Sequence, residues 1–362
     1  MLISKGDLKV ANQSDARKTQ SRQTAGKKRN RNKVTALGVL GRIGIVLLTT
    51  LAIIFVWLYG VMAILCKGPS KTAKKQFVLS VQETSAIGFL ANWFCSQEEI
   101  EAIKASNQVK DTQEISNTEL VDVTAAAQDT ERPDIEVVDV KGSTYRGKLM
   151  KIKDPTRLFV GTVPQFMDGD GMVVADIAAR YGAIGGVNGG EFLDGVNGNT
   201  FTAKPIGLVM KDGQVLNGQT GTWHVTGITN DNKIIVGNMD ANKAKESNIR
   251  DCVSIKNEIG PFLVINGEPQ DIDGTGGGYN PRTAIGQASD GTILLLVIDG
   301  RMVNSIGASF YDLQEIMVEN DAVNASVMDG GTSSQMYYDG SVINTPYSPT
   351  GPRTCPTAFL IK

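Results

Sequence analysis

The pattern of apolar and polar residues changes sharply near the start of the chain. Residues 1–33 are mostly Lys, Arg, Gln, Ser and Asn with almost no apolar periodicity, a composition typical of disorder. From Ile43 to Cys66 the chain then runs for 24 residues without a charge. As an α-helix this run would be about 36 Å long, enough to cross a bilayer core with some tilt. The pattern therefore predicts a basic tail over residues 1–42 and one transmembrane helix over residues 43–66.

From Gly142 onward, short apolar runs alternate with tight-turn dipeptides. Each dipeptide joins Asp or Asn to Gly, residue types that tolerate the positive φ angles of a type I′ hairpin turn: Asp212-Gly213, Asn266-Gly267, Asp290-Gly291 and Asp339-Gly340. The continuous apolar run from Thr292 to Ile298 predicts a strand that is covered on both faces. This part of the chain is therefore predicted to be rich in hairpin-linked strands.

Helical spacing is found in a few segments only. Residues 173–181 carry apolar side chains at helical intervals, and Ser96-Gln-Glu-Glu99 has the form of a capping box before Ile100. A second capping pattern, Ser309-x-x-Asp312, opens a segment whose apolar residues share one helix face: Phe310, Leu313, Ile316 and Met317. Because strands outnumber helices and many are linked as hairpins, we predict an α+β fold behind one N-terminal transmembrane helix.

The region between the apolar run and the strands has a weaker pattern. Residues 109–140 lean acidic and contain few large apolar side chains, which indicates a linker or stalk. Trp93 and Phe94 fit either a membrane interface or packing against another subunit. We therefore predict a juxtamembrane segment and acidic linker over residues 67–140 and a folded domain over residues 141–362.

Charge is distributed unevenly along the chain. The net charge is only −2, but residues 1–75 hold 15 Lys and Arg against 2 Asp and Glu, while the remainder holds 21 against 36. Basic residues flank the apolar run mainly on its N-terminal side, and no convincing small-residue cleavage site follows it, so we predict an uncleaved signal anchor with a cytoplasmic N-terminus. Residues after Lys67 would then be extracellular at a bacterial cell surface. The acidic body makes nucleic acid an improbable partner.

Histidine and cysteine usage excludes several kinds of site. His224 is the only histidine, which excludes HExxH zinc sites and other multi-histidine clusters. It lies in a strand pattern, where a structural role is more common than catalysis, although a triad with Ser333 stays open. The four cysteines show no CxxC spacing. Cys252 and Cys355 are the one pair within the domain, and we expect small apolar side chains there rather than a disulfide.

Three glycine-rich motifs place acids and bases beside bare backbone. The first is Gly185 to Phe192, the second joins residues 280–286 to Val297-Ile-Asp-Gly-Arg301, and the third is residues 324–334, where an apolar strand ends at Asp329-Gly330-Gly331. A late Gly351-Pro-Arg-Thr354 follows. Since glycine lets a ligand approach the main chain closely, three such motifs together indicate a site.

The order NGG…PRTAIG…DGR…DGG-x-SS…N-x-P…GPR resembles that of the phosphodiester glycosidase family. The resemblance covers roughly residues 141–362 and implies hydrolysis of a sugar-1-phosphodiester. One departure is Glu191-Phe192, where the family commonly has two aromatic residues. This difference bears on the shape of the pocket and hence on the substrate.

Carboxylates are the available catalytic groups, since glycoside hydrolysis generally needs two of them. The candidates are Asp329, Asp299 and Glu191. Candidate substrate-binding residues are arginines for the phosphate, whose planar fork matches phosphate oxygens, and polar or glycine residues for the sugar: Arg282, Arg301, Arg353, Asn188, Gly189, Gly190, Gly330, Gly331, Ser333 and Ser334. A salt bridge to a nearby Asp is the alternative for each arginine; the resemblance favours Arg282 and Arg353 over Arg301. Asn188 has a turn role as its alternative, while Asn344 and Pro346 match the N-x-P and shape a loop.

Together these features predict a membrane-anchored extracellular glycosidase acting on a sugar-1-phosphodiester in surface polysaccharide. Two alternatives stay open: a phosphodiesterase or transferase acting on a teichoic-acid-like polymer, and a non-catalytic glycan-binding module of exopolysaccharide export. No cofactor is required by the sequence. A divalent cation between Asp299, Asp329 and phosphate oxygens is compatible with it, because hard cations take oxygen ligands.

Overall fold

The computed structural model describes residues 36–84, 87–107, 109–196, 199–255, 261–348 and 351–362. The disorder predicted for residues 1–33 therefore lies outside the described residues. The chain divides into two compact units, residues 1–58 and residues 59–362. Eight α-helices are described: α1 (Ala36–Lys67), α2 (Lys71–Gln82), α3 (Phe89–Asn92), α4 (Gln97–Ala105), α5 (Ala125–Gln128), α6 (Val174–Tyr181), α7 (Ala241–Glu246) and α8 (Phe310–Glu319).

Helix α1 contains the predicted apolar run. The 30 residues from Gly38 to Lys67 contain an 18-residue stretch with a mean hydropathy of 2.4, and the helix is long and apolar enough to cross a membrane. The helix begins several residues before Ile43, because Gly38 to Leu40 continue the apolar sequence around the single charge of Arg42. It is a candidate transmembrane span, as the sequence predicted.

The segment after α1 folds into helices with a core of their own. We call α2, α3 and α4 the juxtamembrane helices. Together with the end of α1 they bury one shared apolar cluster: Cys66, Val78, Leu79, Val81, Ala91, Phe94, Cys95, Ile100 and Ile103. Ser96 caps α4 as predicted, with its side chain accepting a hydrogen bond from the Glu99 amide at 3.2 Å. The Glu99 carboxylate binds Lys74 of α2 instead of closing the capping box.

Residues 109–140 differ from the linker that was predicted. Val109 forms a β-bridge with Ile272, and Ile115 forms one with Gly237. Residues 135–141 form an edge strand that pairs along its whole length with the next strand. The alternation of Ile135 and Val137 with polar neighbours is sufficient for an edge position, because only one face needs to be covered. The sheet thus begins at Ile135 rather than after residue 140.

The rest of the chain is built from antiparallel strands. They are β1 (Ile135–Lys141), β2 (Arg146–Ile152), β3 (Leu158–Thr162), β4 (Gly185–Asn188), β5 (Phe192–Val196), β6 (Asn199–Pro205), β7 (Val209–Lys211), β8 (Gln214–Asn217), β9 (Trp223–Thr229), β10 (Ile234–Met239), β11 (Ile249–Ile255), β12 (Phe262–Ile265), β13 (Glu268–Pro269), β14 (Arg282–Ala288), β15 (Ile293–Asp299), β16 (Ala322–Val327), β17 (Met336–Tyr338), β18 (Ser341–Val342) and β19 (Thr357–Ile361). This strand-rich α+β architecture confirms the predicted fold class.

The strands form three larger sheets and one hairpin. The seven-stranded sheet has the order β1-β2-β15-β14-β16-β12-β13, and the two five-stranded sheets have the orders β10-β9-β11-β7-β8 and β18-β17-β4-β19-β3. Strands β5 and β6 pair with each other. All four predicted turns join paired strands. In three of them both residues have positive φ, whereas in Asp290-Gly291 only the glycine does.

One main apolar core joins the three larger sheets, and helices cover other faces. Strand β15 is buried along nearly its full length, as its unbroken apolar sequence predicted. Helix α8 packs against the seven-stranded sheet through the predicted face of Phe310, Leu313, Ile316 and Met317. Its capping box is complete, because the Ser309 amide also donates to the Asp312 carboxylate at 2.7 Å. Helix α6 packs on the β3–β4–β19 side.

Strand direction brings both halves of the second motif and the third motif to the same end of the strands in the seven-stranded sheet. Strand β14 runs antiparallel to both β15 and β16, so its first residues lie beside the last residues of those two strands. Arg282 therefore pairs with Ile298, and Ala284 pairs with Val327. Asp299 and Asp329 follow at the same end. This register is the structural reason that residues far apart in sequence meet.

Candidate functional site

Asn188, the last residue of β4, connects the three motifs. Its side-chain amide donates to the backbone carbonyl of Asp329 at 2.7 Å. Its side-chain carbonyl accepts hydrogen bonds from the Thr283 hydroxyl at 2.8 Å and from the Gln335 amide at 3.2 Å. Asn188 is fully buried, so these bonds satisfy its polar atoms. Asn188 thus lies beside the Asp329 backbone and acts here as a support for the loops, and its substrate-binding role stays a prediction.

The Asp329 carboxyl group has an unusual electrostatic environment. Although the residue keeps some exposed surface, desolvation of the carboxyl group and the nearby charge of Glu191 raise its pKa to about 7. Asp194 acts in the same direction, while a hydrogen bond from Ser333 and the charge of Arg353 oppose the shift. A carboxyl group in this state exchanges a proton near neutral pH, as an acid–base catalyst must.

Arg353 lies near the Asp329 carboxyl group, as does Asp194. Its guanidinium forms an ion pair with Asp194 at 2.8 Å and lies 5.2 Å from the centre of the Phe192 ring. It also donates to the Thr332 hydroxyl at 3.4 Å. Gln335 donates to the Arg353 backbone carbonyl at 2.7 Å and so fixes this loop. Asp194, the acid that pairs with Arg353, was therefore not among the candidates predicted from the sequence.

Arg282, at the start of β14, is almost fully enclosed. Its Nη2 lies 2.7 Å from the Glu83 carboxylate and donates to the Gly278 carbonyl at 2.8 Å, and its Nε donates to the Ala308 carbonyl at 3.3 Å. The guanidinium carbon lies 4.3 Å from the centre of the Phe310 ring, which is the geometry of a cation–π contact. Most of its donors are thus committed to the protein itself.

Arg301 is the arginine of the three that forms no ion pair with a described carboxylate. Its Nη2 donates to the Asn280 side chain at 3.2 Å, and its buried Nε has no hydrogen-bond partner among the described residues. Burial, and the nearby Arg282 and Arg353 charges, lower the pKa of this guanidinium, while Glu83 opposes the shift. A buried cation beside two others favours a bound anion.

The backbone of the third motif lies against Arg301. Gly331 has φ +64°, and a Cβ atom added to it would lie 3.3 Å from Arg301 Nη2. The Gly331 amide donates to the Pro281 carbonyl at 2.8 Å, which holds the turn against the second motif. A Cβ on Gly330 would lie 3.0 Å from the same carbonyl. These two glycines therefore let the third motif approach both the arginine and the second motif.

Gly189 and Gly190 have a different reason for being glycine. A Cβ on Gly189 would collide with Thr357 of β19, and one on Gly190 would collide with the Ser254 carbonyl of β11. Their amides bind Thr357, and the Glu191 amide donates to the Ser254 carbonyl at 3.1 Å. The space on the side of an added Cβ is filled by protein, and the substrate-binding role of these two glycines stays a prediction. In the structure they let the chain pass between two strands and present Glu191.

Asp299 is bound by the loop that follows β18. Its Oδ1 accepts hydrogen bonds from the Asn344 side chain and the Thr345 amide, each at 2.9 Å. Asn344 also donates to the Ser334 carbonyl at 3.1 Å. These contacts explain the N-x-P motif as a loop-shaping element. They assign Asp299 a structural role, and its proposed catalytic role stays a prediction.

Ser333 and Ser334, the candidate binding serines of the third motif, are both buried. The Ser333 hydroxyl hydrogen-bonds to Asp329. The Ser334 hydroxyl is buried without a hydrogen-bond partner among the described residues. An unsatisfied buried hydroxyl, in the loop that also carries Gly331, is suited to a polar ligand.

Metal binding would require a cluster of His, Cys, Asp or Glu side chains. No group of three or more His, Cys, Asp or Glu is placed to hold a metal ion in the described part of the chain. The cation suggested between Asp299 and Asp329 stays a hypothesis.

His224 is buried in β9, where its Nε2 lies 2.7 Å from the Asp111 carboxylate and its ring meets Phe262 edge-to-face. This is the structural role that its strand position indicated. The four cysteines are free and buried, in line with the expected apolar role.

Comparison with known proteins identifies the family. The family model for phosphodiester glycosidase matches residues 181–362. The chain belongs to the phosphodiester glycosidase family. Mouse N-acetylglucosamine-1-phosphodiester alpha-N-acetylglucosaminidase is 24% identical over 227 residues, which cover 57% of this chain and 42% of that protein. The SPbeta prophage-derived uncharacterized protein YomE of Bacillus subtilis (strain 168) is 27% identical over 212 residues, covering 56% of this chain and 30% of that protein.

A solved structure agrees on the fold of this phosphodiester glycosidase domain. The zebrafish N-acetylglucosamine-1-phosphodiester alpha-N-acetylglucosaminidase catalytic domain, auto-inhibited by its pro-peptide, superposes with a TM-score of 0.50 at 19% identity, covering 64% of this chain and 84% of that one. The chain thus spans less than half the length of the two sequence relatives, and it shares the catalytic-domain fold.

Proposed function

We propose that this chain is a membrane-anchored hydrolase that cleaves a sugar-1-phosphodiester in extracellular polysaccharide. The observation that carries the proposal is the Asp329 carboxyl group, whose pKa is raised to about 7 next to Glu191 and close to Arg353. It combines a group able to transfer protons with cations able to hold a phosphate. Both are needed to hydrolyse a glycosyl phosphodiester.

The chemistry consists of adding water across the bond between the anomeric carbon and the phosphate oxygen. The anomeric carbon gains a hydroxyl group, and the leaving group departs as a phosphate monoester. That leaving group is already a weak base, so binding of its negative charge contributes more than its protonation does. We assign proton transfer to Asp329, whose pKa is raised by desolvation and by the nearby Glu191 charge. We assign Glu191 as the carboxylate facing the anomeric carbon.

Among the three arginines we assign phosphate binding first to Arg301. Arg282 and Arg353 have carboxylate partners, whereas Arg301 has none among the described residues and its buried Nε also lacks a hydrogen-bond partner. Arg353 Nη2 likewise makes no hydrogen bond, but it lies 2.8 Å from Asp194. A phosphate oxygen would satisfy that donor and the excess positive charge together. This ranking of the arginines differs from that suggested by the family resemblance, which favoured Arg282 and Arg353. Arg282 and Arg353 would then shape the pocket and add to its positive potential.

Location outside the cell is part of the same proposal. The candidate span in α1 and the basic residues before it support a cytoplasmic N-terminus and an extracellular domain. The acidic body would be held near an anionic surface by its own anchor. The sugar is unspecified: the mouse and zebrafish relatives are named for N-acetylglucosamine-1-phosphodiester, and the Glu191 departure changes the pocket at the sugar side.

The test is a screen of aryl and nucleoside sugar-1-phosphodiesters with the full chain in detergent. Hydrolysis in oxygen-labelled water separates the alternatives. Label in the sugar product indicates cleavage of the carbon–oxygen bond and supports the proposal. Label in the phosphate product indicates a phosphodiesterase. Binding of these compounds without any turnover indicates a glycan-binding module. Either of the last two results contradicts the proposed reaction.

A further inference from the structure

Glu83, just after α2, reaches from the juxtamembrane helices into the pocket region. One carboxylate oxygen accepts a hydrogen bond from the Gly278 amide at 3.1 Å. The other accepts one from the Asn280 side chain at 2.8 Å and lies 2.7 Å from Arg282 Nη2. A single side chain thus binds three residues of the segment that leads into β14.

Other contacts hold the same segment, residues 274–280, against the juxtamembrane helices. The Ser80 hydroxyl accepts a hydrogen bond from the Tyr279 amide at 3.1 Å. The Asn107 side-chain carbonyl accepts hydrogen bonds from the Thr275 amide at 2.8 Å and from the Thr275 hydroxyl at 3.0 Å. A Cβ on Gly278 would lie 2.5 Å from the Ser80 amide nitrogen, so the two backbones pass in direct contact. The segment is therefore bound along most of its length.

This segment and the adjoining Pro281 also support the proposed phosphate pocket, by which we mean Arg301 with Arg282 and Arg353 near it. The Asn280 side-chain carbonyl accepts a hydrogen bond from Arg301, and the Pro281 carbonyl accepts one from Gly331. Because Asn280 is bound by Glu83 through its amide and by Arg301 through its carbonyl, it links the two side chains. The Glu83 charge also offsets the repulsion between the Arg282 and Arg301 guanidinium groups.

We propose that Glu83 is a positioning residue for phosphate binding, and that the juxtamembrane helices complete a pocket which the glycosidase domain alone leaves unsupported. Glu83 orients Arg282 directly and Arg301 through Asn280. The nature of the ligand rests on the proposed function, but the contacts do not. The juxtamembrane helices then support the active site in addition to lying next to the membrane anchor.

The competing possibility is that Glu83 occupies the place of the substrate phosphate and inhibits the enzyme. The geometry favours positioning, because Glu83 uses both oxygens on the Gly278 amide and Asn280 in addition to Arg282. It also leaves the Nε of Arg301 without a described partner. A simple phosphate mimic would be expected to take that donor.

The experiment compares Glu83→Gln with wild type in the full chain. The substitution keeps the size of the side chain but turns one oxygen into an NH₂ group, which faces the donors of Asn280 and Arg282. Glu99→Gln is the matched control, since it breaks an ion pair within the same helices and contacts no residue of the pocket. The measured quantities are kcat and KM on a sugar-1-phosphodiester and the affinity for inorganic phosphate.

We expect Glu83→Gln to raise KM and to weaken phosphate binding by about tenfold or more, as for loss of a hydrogen bond to a charged group. Glu99→Gln should change neither. In a double-mutant cycle on phosphate affinity, Glu83→Gln and Arg282→Lys should be clearly non-additive, because the two side chains are in contact and would act on the same ligand. Unchanged or tighter phosphate binding in folded Glu83→Gln would overturn the proposal, and tighter binding would indicate inhibition instead.

Two further measurements keep the test decisive. If Glu83→Gln does not fold, Ser80→Ala removes the Tyr279 contact without touching a charge, and it should weaken phosphate binding to a smaller extent; no change would count against the proposal. If the wild type turns over no sugar-1-phosphodiester, the thermal shift induced by inorganic phosphate is compared between wild type and variants. Loss of that shift in Glu83→Gln supports positioning even though the proposed reaction has failed. A full shift contradicts it.

Discussion

The side-chain amide of Asn188 donates a 2.7 Å hydrogen bond to the backbone carbonyl of Asp329, across 141 positions of sequence. This bond fixes the carbonyl of the residue that carries the proposed catalytic carboxyl group. Since the other end of the Asn188 side chain binds Thr283 and Gln335, one buried amide sets the distance between all three motifs. The candidate site is therefore a property of the loop framework as well as of its charged residues.

The first prediction concerns the catalytic role of Asp329. Asp329→Asn keeps the size of the side chain but removes the ionisable group, so we expect kcat on a sugar-1-phosphodiester to fall by roughly 10²-fold or more. Binding of inorganic phosphate should stay measurable, because Arg301 is untouched. Asp168→Asn, which alters an exposed ion pair with Lys204, is the control and should leave kcat unchanged. Near-native kcat in Asp329→Asn would transfer the chemistry to Glu191 or Asp299.

The second prediction follows from the raised pKa of the same group. Asp329 titrates at about 7 in the folded protein and near 3.9 in an unfolded chain, so between these values the folded state binds more protons. Its contribution to stability is complete below about pH 4 and is lost as the pH rises to about 7, amounting to at most about 4 kcal/mol.

Thermal unfolding of wild type and Asp329→Asn at several pH values measures this linkage. The variant lacks the group, so its melting temperature relative to wild type should rise from pH 4 to pH 8. The control Asp168→Asn should show no such trend. A constant difference between Asp329→Asn and wild type over this range would show that the carboxyl group is not desolvated as the structure indicates.

Much of this architecture follows from local sequence pattern. The Asp-Gly and Asn-Gly turns, the buried β15 and the capped helix α8 each depend on residues within about ten positions of one another, which is the range that periodicity and turn chemistry describe. The glycine motifs likewise show where strands end in bare backbone. The meeting of the second and third motifs then follows from the antiparallel order of β14, β15 and β16, whereas the first motif comes from β4 of another sheet.

The interaction partners of the charged residues could not be predicted from local sequence pattern. Glu83 meets Asn280 across 197 positions, and Asp194 meets Arg353 only because β5 and the last loop fold together. The choice among three arginines depends on which of them finds a carboxylate in the folded chain, so family resemblance favoured two that are already paired. The roles of Gly189 and Gly190 depended on the neighbouring strands in the same way. For Glu83, the only local signal in the sequence was its position at the end of an amphipathic helix.

The third prediction distinguishes the arginines. Arg301→Lys keeps the charge but loses the planar fork and the buried Nε, so phosphodiester binding should weaken by about tenfold or more, while binding of the neutral sugar changes little. Arg282→Lys should also weaken phosphodiester binding more than neutral-sugar binding, and it should in addition lower the melting temperature, because it breaks the Glu83 pair and the Phe310 contact.

Arg180→Lys provides the control for both substitutions, since Arg180 lies over Tyr181 on helix α6. It should leave phosphate affinity unchanged. Isothermal titration with inorganic phosphate and with the free sugar gives the two affinities for each variant. Equal losses for phosphate and sugar in Arg301→Lys would show a general disturbance of the pocket rather than a phosphate contact.

The fourth prediction concerns membrane topology. The basic flank before α1 should keep the N-terminus in the cytoplasm. Protease added to intact cells should therefore remove the C-terminal domain and spare an N-terminal tag. Permeabilised cells serve as the control, in which the tag is cleaved as well. Protection of the C-terminal domain in intact cells would reverse the proposed orientation.

The fifth prediction uses two glycines that share a backbone conformation but differ in their surroundings. Gly331 and Gly340 both have positive φ, +64° and +85°, so alanine at either position strains the backbone by about 1 kcal/mol. At Gly340 the added Cβ meets nothing within 4 Å, whereas at Gly331 it lies 3.3 Å from Arg301 Nη2. Gly340→Ala thus reports the strain alone, and any further effect of Gly331→Ala must come from the neighbouring guanidinium.

We expect both substitutions to lower the melting temperature by similar amounts, since the methyl group at Gly331 meets the end of a flexible side chain that can move by a few tenths of an ångström. Phosphate affinity should fall only in Gly331→Ala, because the movement displaces the guanidinium from the turn. Titration with inorganic phosphate, alongside thermal unfolding of both variants, separates the two effects. If Gly331→Ala and Gly340→Ala bind phosphate equally well, the anion does not lie between Arg301 and the Gly330-Gly331 backbone, and the pocket must be sought nearer Arg353.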